Sequence, residues 1–398
     1  MKKTYKIPLT FNTYGKDELD AINTSLASGY YSMGECVEEF EKKFAKYVGA
    51  KHCVMVNSGS SANLLLSASL LYRYKKQAPL IRGDEVLVPA LLWPTTMWPL
   101  MQLGLVPILV DVNDRTMSID IDDAKQKLSA RTRGIFLIHV LGLPANMDEV
   151  MKFSREHDLV VLEDCCESLG ARFNGKHVGT FGAGGTFSFF FSHHLTTMEG
   201  GAVVTNDEGH ANDLRSMRAH GWIRDRSDKD VIRQEICDNN IDERWYFILP
   251  GFNLRPTELQ GAIGMVQLEK IDRFIAKRKN IARIAASIFN NSNDIKIFGT
   301  DLSPSIFDCS WMNIAILTQD NSTLGKGKLV RIFEEAGIET RPIIAGDFSQ
   351  HPASQYCSNV SEYKITKRLH SQGFMISAFT DNEDLFSSLM MGIASQCQ

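Results

Sequence analysis

The stretch GTFSFFFSHHLTTMEGGAVVTN, residues 185–206, holds two short apolar runs separated by a polar loop. The two runs, residues 185–191 and 201–206, have the length and the aromatic and β-branched content of buried strands. Five runs of the same kind precede them: HCVMVN (52–57), EVLVPA (85–90), VPILVDV (106–112), RGIFLIHV (133–140) and LVVLED (159–164). Amphipathic segments separate several of these runs, so the pattern predicts βαβ units and a largely parallel sheet over roughly residues 50–210.

The C-terminal third of the chain has a different pattern. ELQGAIGMVQLEKIDRFIAKRKNIARIAASIF, residues 258–289, is amphipathic and poor in glycine, which predicts one long helix. The 398 residues of the chain are enough for two domains. We therefore expect the long helix to join a larger domain to a smaller C-terminal one.

The charge of the chain excludes some classes of partner. Hydrophobic residues make up 44% of the chain and charged residues 23%, and the net charge is −4. A protein that binds nucleic acid or an acidic membrane normally has a basic face, so neither partner is expected. Residues 224–243, RDRSDKDVIRQEICDNNIDE, mix both charges densely, which favours a solvated insertion loop.

The sequence shows no targeting or membrane segment. MKKTYKIPLT, residues 1–10, lacks the apolar core of a signal peptide, so a cytoplasmic protein is expected. Residues 86–110 carry no charge, but four prolines interrupt them. Proline breaks or kinks a spanning helix, and we predict two buried strands joined by a helical turn instead.

The cysteines show no metal-binding spacing. None forms a C-x-x-C pair, and two of them are neighbours that cannot easily bridge each other. We predict free or buried thiols and no metal site at these positions: Cys36, Cys53, Cys165, Cys166, Cys237, Cys309, Cys357 and Cys397. GAGG, residues 182–185, lacks the spacing of a dinucleotide loop, which disfavours NAD.

Ligands of open α/β sheets bind at the carboxyl ends of the strands. NSGSSAN, residues 57–63, follows a strand and opens a helix, where backbone amides suit a phosphate. Serine and glycine are also ordinary N-cap residues, so this motif alone leaves both interpretations open. Asp164 ends the LVVLED strand, and a buried carboxylate there needs either a bound cation or a salt bridge to a lysine or arginine.

The adjacent His193 and His194 have three possible interpretations: a zinc pair, core histidines or a catalytic imidazole. Neighbours on an extended segment point to opposite faces, which argues against a joint metal site. One ring can face a pocket while the other packs.

These elements occur in an order that resembles the DegT family of fold-type I, PLP-dependent sugar aminotransferases. The resemblance rests on SGYYSMGECVEEFEKKFAKYVGAKHCVMVNSGSSAN, EDCCESLGA, FSFFFSHHLTTMEGGAVVTND, GFNLRPTELQGAIGMVQLEKID and GIETRP. It implies an α/β fold like that of aspartate aminotransferase. The implied division is an N-terminal segment (1–30) packed on the small domain, a large cofactor-binding domain (31–270) and a small α/β domain (271–398).

The resemblance also implies the cofactor contacts. Ser58, Gly59, Ser60 and Ser188 would hold the phosphate, Trp93 would stack on the pyridine ring, Asp164 would pair with the ring nitrogen and Glu167 would lie near the ring hydroxyl. Asn253 would reach the phosphate of a neighbouring subunit, which implies a homodimer with shared active sites.

One departure from the family pattern decides the expected reaction. Family aminotransferases carry a Schiff-base lysine five residues after the phosphate-binding serine, and here that position is His193. With histidine at this position, the chain resembles a subgroup of the family, the nucleotide-linked 4-keto-6-deoxy sugar 3-dehydratases. This subgroup includes the colitose-pathway and CDP-ascarylose-pathway enzymes. These act with pyridoxamine phosphate (PMP), and one imidazole can serve as base and then as acid near neutral pH.

This subgroup implies a 3-deoxy-4-keto sugar as product, destined for surface polysaccharide, with glutamate as amino donor to regenerate PMP from PLP. No C-x-C pair exists to hold an iron–sulfur cluster, and His194 is assigned to packing. An aminotransferase that works without the lysine and a non-catalytic family member stay open as alternatives. The nucleotide, GDP or CDP, also stays open, and Tyr31, His220 and Arg341 are candidates for substrate contacts.

Overall fold

The computed structural model describes residues 4–235, 241–320, 322, 324–357 and 361–397, apart from the side chain of Glu243. Cys237 lies outside the described residues. The helices are α1 Lys16–Ala27, α2 Glu35–Val48, α3 Gly59–Leu71, α4 Pro94–Gln102, α5 Ile121–Gln126, α6 Met147–Glu156, α7 Glu208–Arg218, α8 Lys229–Glu235, α9 Glu258–Phe289, α10 Lys326–Ala336, α11 Lys364–Gln372 and α12 Glu383–Gln396. Short 3₁₀ helices cover Val140–Gly142, Glu243–Trp245, Phe348–Gln350 and Pro352–Tyr356.

The strands fall into one large and two small sheets. They are β1 His52–Val56, β2 Glu85–Pro89, β3 Val106–Val110, β4 Thr132–Ile138, β5 Val160–Asp164, β6 Arg172–Phe173, β7 Lys176–His177, β8 Gly184–Ser188, β9 Gly201–Thr205, β10 Ile295–Ile297, β11 Phe307–Asp308, β12 Asn313–Thr318 and β13 Gly373–Ser377. All seven predicted strands are present, each within a few residues of its expected bounds.

The large sheet has the strand order β1-β9-β8-β5-β4-β2-β3. The pairs β2/β3, β2/β4, β4/β5 and β5/β8 are parallel. Only β9 among these strands runs against its neighbours, β1 and β8. The predicted, largely parallel sheet is therefore confirmed, and the carboxyl ends of β1, β5 and β8 lie on one edge.

The alternation of side chains along β1 shows how the sheet is buried. Val54 and Val56 belong to the core that also contains α3, whereas Cys53 and Met55 pack with Phe44 of α2 on the other face. Because successive side chains of a strand point to opposite faces, helices on both sides of the sheet bury both sets.

The predicted long helix is confirmed as α9. Its C-terminal half packs with α10, α12 and the antiparallel sheet β10-β12-β13 around a second core. The N-terminal segment reaches this core too, since Ile7 is buried and its N–H donates to the Gly337 carbonyl at 3.0 Å. The domain limits at residues 30 and 270 stay predictions.

The interpretation of residues 224–243 as a solvated loop is wrong for its first half. Arg226 is buried, and its guanidinium pairs with Asp213 at 2.9 Å and with Asp228 at 2.7 Å. The helix α8 follows directly, and the buried Arg226–Asp213 ion pair attaches this segment to α7. Residues 236–240 lie outside the described part.

The uncharged run 86–110 forms β2, α4 and β3, as expected. Within the described parts of the chain, no helix combines the length and apolarity that crossing a bilayer requires.

Candidate active site

Three segments meet at the carboxyl edge of the large sheet. Gly201, the first residue of β9, pairs with Val56 at the end of β1 and with Ser188 at the end of β8. A Cβ atom on Gly201 would lie 2.4 Å from the Ser58 carbonyl oxygen, and one on Gly59 would lie 2.5 Å from the Ser188 Cβ. The glycines therefore allow the Ser188 side chain to lie against the start of α3 and the start of β9 to lie against Ser58.

Ser58 caps α3. Its Oγ accepts a hydrogen bond from the Ser61 N–H at 3.1 Å, and Ser61 Oγ donates to Asn57 Oδ1 at 2.6 Å. Gly59 and Ser60 open the helix, where N–H groups have no partner within the helix, and Ser60 is exposed. The capping and the phosphate interpretations are compatible, because the Ser58 hydroxyl satisfies one amide and leaves others of the first turn for an anion.

Asp164 is a buried carboxylate with neutral partners. Thr96 Oγ1 and Asn63 Nδ2 donate to its Oδ2 at 2.7 and 2.9 Å, and the Cys166 N–H donates to its Oδ1 at 3.0 Å. Among the described lysines and arginines, none forms an ion pair with it, so the salt-bridge alternative is not realised there. A cation brought by a ligand would meet the electrostatic need of this group.

Trp93 and Glu167 are the two other residues predicted to contact the cofactor ring. Trp93 is the N-cap of α4, three residues before Thr96, and its side chain is 58% exposed. Glu167 accepts the Leu141 N–H at 2.9 Å, and burial, aided by the Asp164 charge, raises the pKa of its carboxyl to about 7. A ring stacked on Trp93 and a proton shared with Glu167 stay predictions.

His193 lies on the loop that leaves β8, five residues after Ser188. The segment is a turn rather than the expected extended strand, since the His193 N–H donates to the Phe190 carbonyl at 3.0 Å. The ring is partly buried and meets the Phe190 ring edge-on at 5.9 Å. Burial, with a smaller effect of Arg278, lowers the pKa of His193 to about 4, below the ordinary value used in the sequence argument.

His194 is fully buried and points elsewhere. Its Nε2 is 3.2 Å from the Ser310 carbonyl oxygen, and its Nδ1 has no hydrogen-bond partner among the described residues. The burial of His194 agrees with its expected packing, and a turn separates the two rings; that the His193 ring faces a cofactor pocket stays a prediction.

A buried trio near the site resembles a metal-binding group by type only. Ligand atoms of His139, Glu163 and Cys165 lie within 4.8 Å of one another. His139 already uses both ring nitrogens, on Glu163 at 3.2 Å and on the Ala145 N–H at 3.0 Å. Glu163 also accepts three backbone N–H groups, from residues 179, 181 and 182, so the trio is a hydrogen-bonded structural unit.

The donor set fits a phosphorylated pyridine cofactor. Free amides at the start of α3 suit a phosphate, the close approach of Gly59 to Ser188 brings a second hydroxyl to it, and Asp164 offers an uncompensated carboxylate for a ring cation.

Comparison with known proteins agrees with this geometry. The sequence profile of the DegT/DnrJ/EryC1/StrS aminotransferase family matches residues 12–384. The chain belongs to this family. A family relative from Yersinia pseudotuberculosis, described as GDP-4-keto-6-deoxy-D-mannose 3-dehydratase, is 42% identical over 341 residues, which cover 86% of this chain and 85% of the relative.

Solved structures of family members have the same fold as this chain. A histidine-to-asparagine mutant of GDP-4-keto-6-deoxymannose-3-dehydratase with bound GDP-perosamine has a TM-score of 0.88 and 36% identity, covering 97% of this chain and 100% of that one. A structure of an enzyme of that name with a trapped PLP-glutamate geminal diamine has a TM-score of 0.86 and 35% identity, with the same coverage. The predicted fold-type I fold and the DegT resemblance are confirmed.

The remaining family positions lie on the surface of the single chain. Asn253 is exposed and forms an isolated β-bridge with Ala219. The next residue, His220, has a left-handed backbone (φ 66°). Tyr31 is 62% exposed, and its carbonyl accepts the N–H of Glu258 at 3.2 Å. Their roles toward a substrate or a second subunit stay predictions.

Arg341 is exposed and pairs with Glu339 at 2.9 Å. This exposed ion pair is an alternative to the expected substrate contact. Binding of a carboxylate or phosphate at this position stays a prediction.

Sequence reasoning missed the residues that hold Asp164. Asn63, Thr96 and Thr186 form one chain of hydrogen bonds, with Thr186 Oγ1 donating to Asn63 Oδ1 at 2.6 Å. Asn63 stands in the NSGSSAN motif and is buried in α3. A buried amide at such a position was the available signal, because it must find a polar partner.

Proposed function

We propose that this chain is a PMP- and PLP-dependent 3-dehydratase of a GDP- or CDP-linked 4-keto-6-deoxy sugar. The product would be a 3-deoxy-4-keto sugar for a surface polysaccharide. The observation that carries the proposal is a neutral imidazole, His193, in the position where family aminotransferases place a Schiff-base lysine. The 42% identity to a protein described as a GDP-4-keto-6-deoxy-D-mannose 3-dehydratase supports the same assignment.

The side chains supply binding and proton transfer. The α3 amides and Ser188 hold the phosphate, and Asp164 keeps the ring nitrogen protonated. The bound cofactor supplies the amine that joins C4 of the sugar and a ring that accepts electrons. His193 takes the proton from the C4′ carbon and delivers it to the departing C3 hydroxyl.

A pKa of about 4 makes the protonated His193 a strong proton donor and its neutral ring a weak base. The imidazole is neutral at pH 7 and can accept a proton. Once protonated, it is a stronger acid than an ordinary imidazolium, so it gives the proton readily to the leaving hydroxyl. A lysine at this place would be mostly protonated at neutral pH and would compete for the cofactor aldehyde.

The overall balance identifies the products. With the cofactor bound, the C3 hydroxyl would leave as water with the proton from His193, a second water would release the cofactor amine as ammonia, and PMP would be left as PLP. Glutamate then returns PLP to PMP and becomes 2-oxoglutarate. Each turnover of the dehydratase therefore forms one ammonia and one 2-oxoglutarate.

We also propose a cytoplasmic homodimer with Asn253 reaching the phosphate of the partner. Free thiols at the seven described cysteines suit a reducing compartment. A cavity of about 1710 Å³ is lined by residues of α1 and α2 and by Arg215 and Arg218, but by none of the predicted cofactor residues. Exposure of Asn253 and Trp93 in the single chain supports completion of the site by a second copy.

A product assay tests the function. The protein is incubated with GDP- or CDP-linked 4-keto-6-deoxy sugar, PLP and glutamate, and ammonia, 2-oxoglutarate and the sugar are measured. The dehydratase gives ammonia and a sugar without the C3 hydroxyl. An aminotransferase gives 2-oxoglutarate and an amino sugar without free ammonia, and a non-catalytic protein gives none of these products. Either of the last two results overturns the proposal.

A further inference from the structure

We propose that His194 is a positioning residue that fixes the loop carrying His193 against residues 310–312, through its Nε2–H on the Ser310 carbonyl. This role rests on the proposed function of His193 and replaces the assignment of His194 to packing. His194 itself touches neither cofactor nor substrate in this proposal.

The tautomer of His194 follows from its partners. A carbonyl only accepts, so Nε2 must carry the hydrogen that spans the 3.2 Å to the Ser310 oxygen. The other nitrogen, Nδ1, is buried without a described partner and stays unprotonated. Burial, together with the Arg278 charge, keeps the pKa of His194 well below its usual range, so this donor is constant across the working pH.

The segment that His194 holds is fixed from both sides. Ser310 and Met312 donate their N–H groups to the carbonyls of Gly142 and Leu141, each at 2.9 Å. The Met312 carbonyl accepts from the guanidinium of the buried Arg278 at 2.6 Å. The carbonyls of Ser310 and Met312 are thus bound by one histidine and one arginine.

This segment lies in close backbone contact with Gly142. A Cβ atom on Gly142 would lie 2.3 Å from the Trp311 nitrogen, and Trp311 has a left-handed backbone (φ 52°). A segment in such close backbone contact is a rigid support for the ring that binds it.

Residues 310–312 are also connected, through Leu141, to Glu167. Leu141, which receives the Met312 N–H, donates its own N–H to the Glu167 carboxylate at 2.9 Å. Residues 310–312 therefore connect the loop of the proposed base to the carboxylate predicted beside the ring hydroxyl. An apolar side chain of similar size at position 194 would fill the space and lose this connection.

Two variants separate positioning from packing. In His194→Leu the donor is lost, whereas in His194→Gln the amide nitrogen can reach the Ser310 carbonyl from the same place. The matched control is His210→Leu, because His210 is equally buried but bonds Ser69 at the opposite end of the sheet.

We expect His194→Leu to lower kcat by about 10- to 100-fold, since small misplacement of a catalytic group has effects of this size. KM for the sugar nucleotide should stay within about threefold, and His194→Gln should recover most of kcat. His210→Leu should lower Tm with kcat unchanged. An undiminished kcat in His194→Leu, or equal losses in the Leu and Gln variants, would overturn the proposal.

A measurement on the protein without cofactor is independent of turnover. With ¹⁵N-labelled histidine, NMR should show His194 as the neutral Nε2–H tautomer, and His194→Leu but not His194→Gln should shift the His193 resonances. Titration of His194 near its ordinary pKa would contradict the role even if the variants did not fold. If the wild-type protein forms no dehydrated sugar, the proposed function fails, and these spectra still decide whether His194 positions the loop.

Discussion

At the scale of single residues, Asp164 and His193 have opposite electrostatic needs. Asp164 is buried with three neutral donors and no described cation, whereas His193 is held neutral by its surroundings. The first site favours a positive ligand atom, and the second favours a base without charge. These two preferences match the protonated ring and the base of the proposed function.

Replacing Asp164 with Asn should slow turnover by about 100-fold or more, because an amide cannot keep the ring nitrogen charged. The bound cofactor should show a changed absorbance spectrum. Asp111→Asn is the matched control, since Asp111 accepts from residues 365 and 366 at 2.8 Å as the cap of α11. The control should lose stability and keep the spectrum, and an unchanged rate in Asp164→Asn would show that the ring partner is misassigned.

Replacing His193 with Asn should reduce kcat by roughly 10²–10⁴-fold while the cofactor stays bound. In the wild-type protein the base form of His193 persists until the pH approaches about 4, its lowered pKa. The limb of kcat/KM that reports this base should therefore fall near pH 4 and not near 6.5. Near-normal turnover in the variant would exclude His193 as the base.

At the scale of elements, a glycine at a strand end determines how closely neighbouring strands and helices approach one another. Gly201 lies against the Ser58 carbonyl, so β1, β9 and the start of α3 meet only without a side chain there. Gly392 in α12 has open space around its Cα, and alanine is favoured over glycine in a helix by about 0.5–1 kcal/mol.

Gly201→Ala should therefore destabilise the fold and weaken cofactor binding, because a backbone oxygen at 2.4 Å cannot give way as a side chain does. Gly392→Ala should leave binding unchanged and raise stability slightly. Urea unfolding and cofactor titration of both variants check this. Equal cofactor affinity in Gly201→Ala and wild type would refute the close contact.

The regular spacing of apolar residues along the sequence predicted the strands and the helix whose apolar faces are buried. The seven strands and α9 follow from apolar runs and amphipathic spacing, and the family pattern selected Ser188, Asp164 and His193. The Ser310–Met312 support of His194 could not be predicted, because it joins residues more than one hundred positions apart through backbone groups. The burial of Arg226 was missed for a related reason, since its partner Asp213 lies on an earlier helix.

At the scale of the whole molecule, buried histidines make stability depend on pH. Burial lowers the pKa of His177 and of His210 from 6.5 to about 4. Between these values the unfolded chain binds protons that the folded chain does not, so the free energy of unfolding falls as the pH drops from 6.5 toward 4. Each histidine contributes a slope of about 1.4 kcal/mol per pH unit in this window.

His210→Gln should remove one such slope, measured by urea unfolding at several pH values across the window. The comparison with wild type cancels other groups, including Glu167, whose raised pKa acts in the opposite direction. Identical slopes in the two proteins would show that His210 is protonated in the folded state.

The proposed shared site can be tested by mixing two inactive chains. If His193 of one subunit works with Asn253 of the other, a mixed dimer of His193→Asn and Asn253→Ala chains holds one intact site. Activity should therefore appear after the chains are unfolded and refolded together, and stay absent when each is refolded alone. Recovery should be absent if each subunit builds its site by itself.

The place of β9 between β1 and β8 has a consequence for synthesis on the ribosome. Ser58 follows β1 and Ser188 ends β8, and these two strands are not neighbours in the sheet. They are joined only through β9, residues 201–205, which pairs with both. A nascent chain that has already left the ribosome with both serines would still lack the strand that brings them together at the proposed phosphate site. If that proposal holds, vitamin capture has to wait until more than half of the polypeptide has been translated.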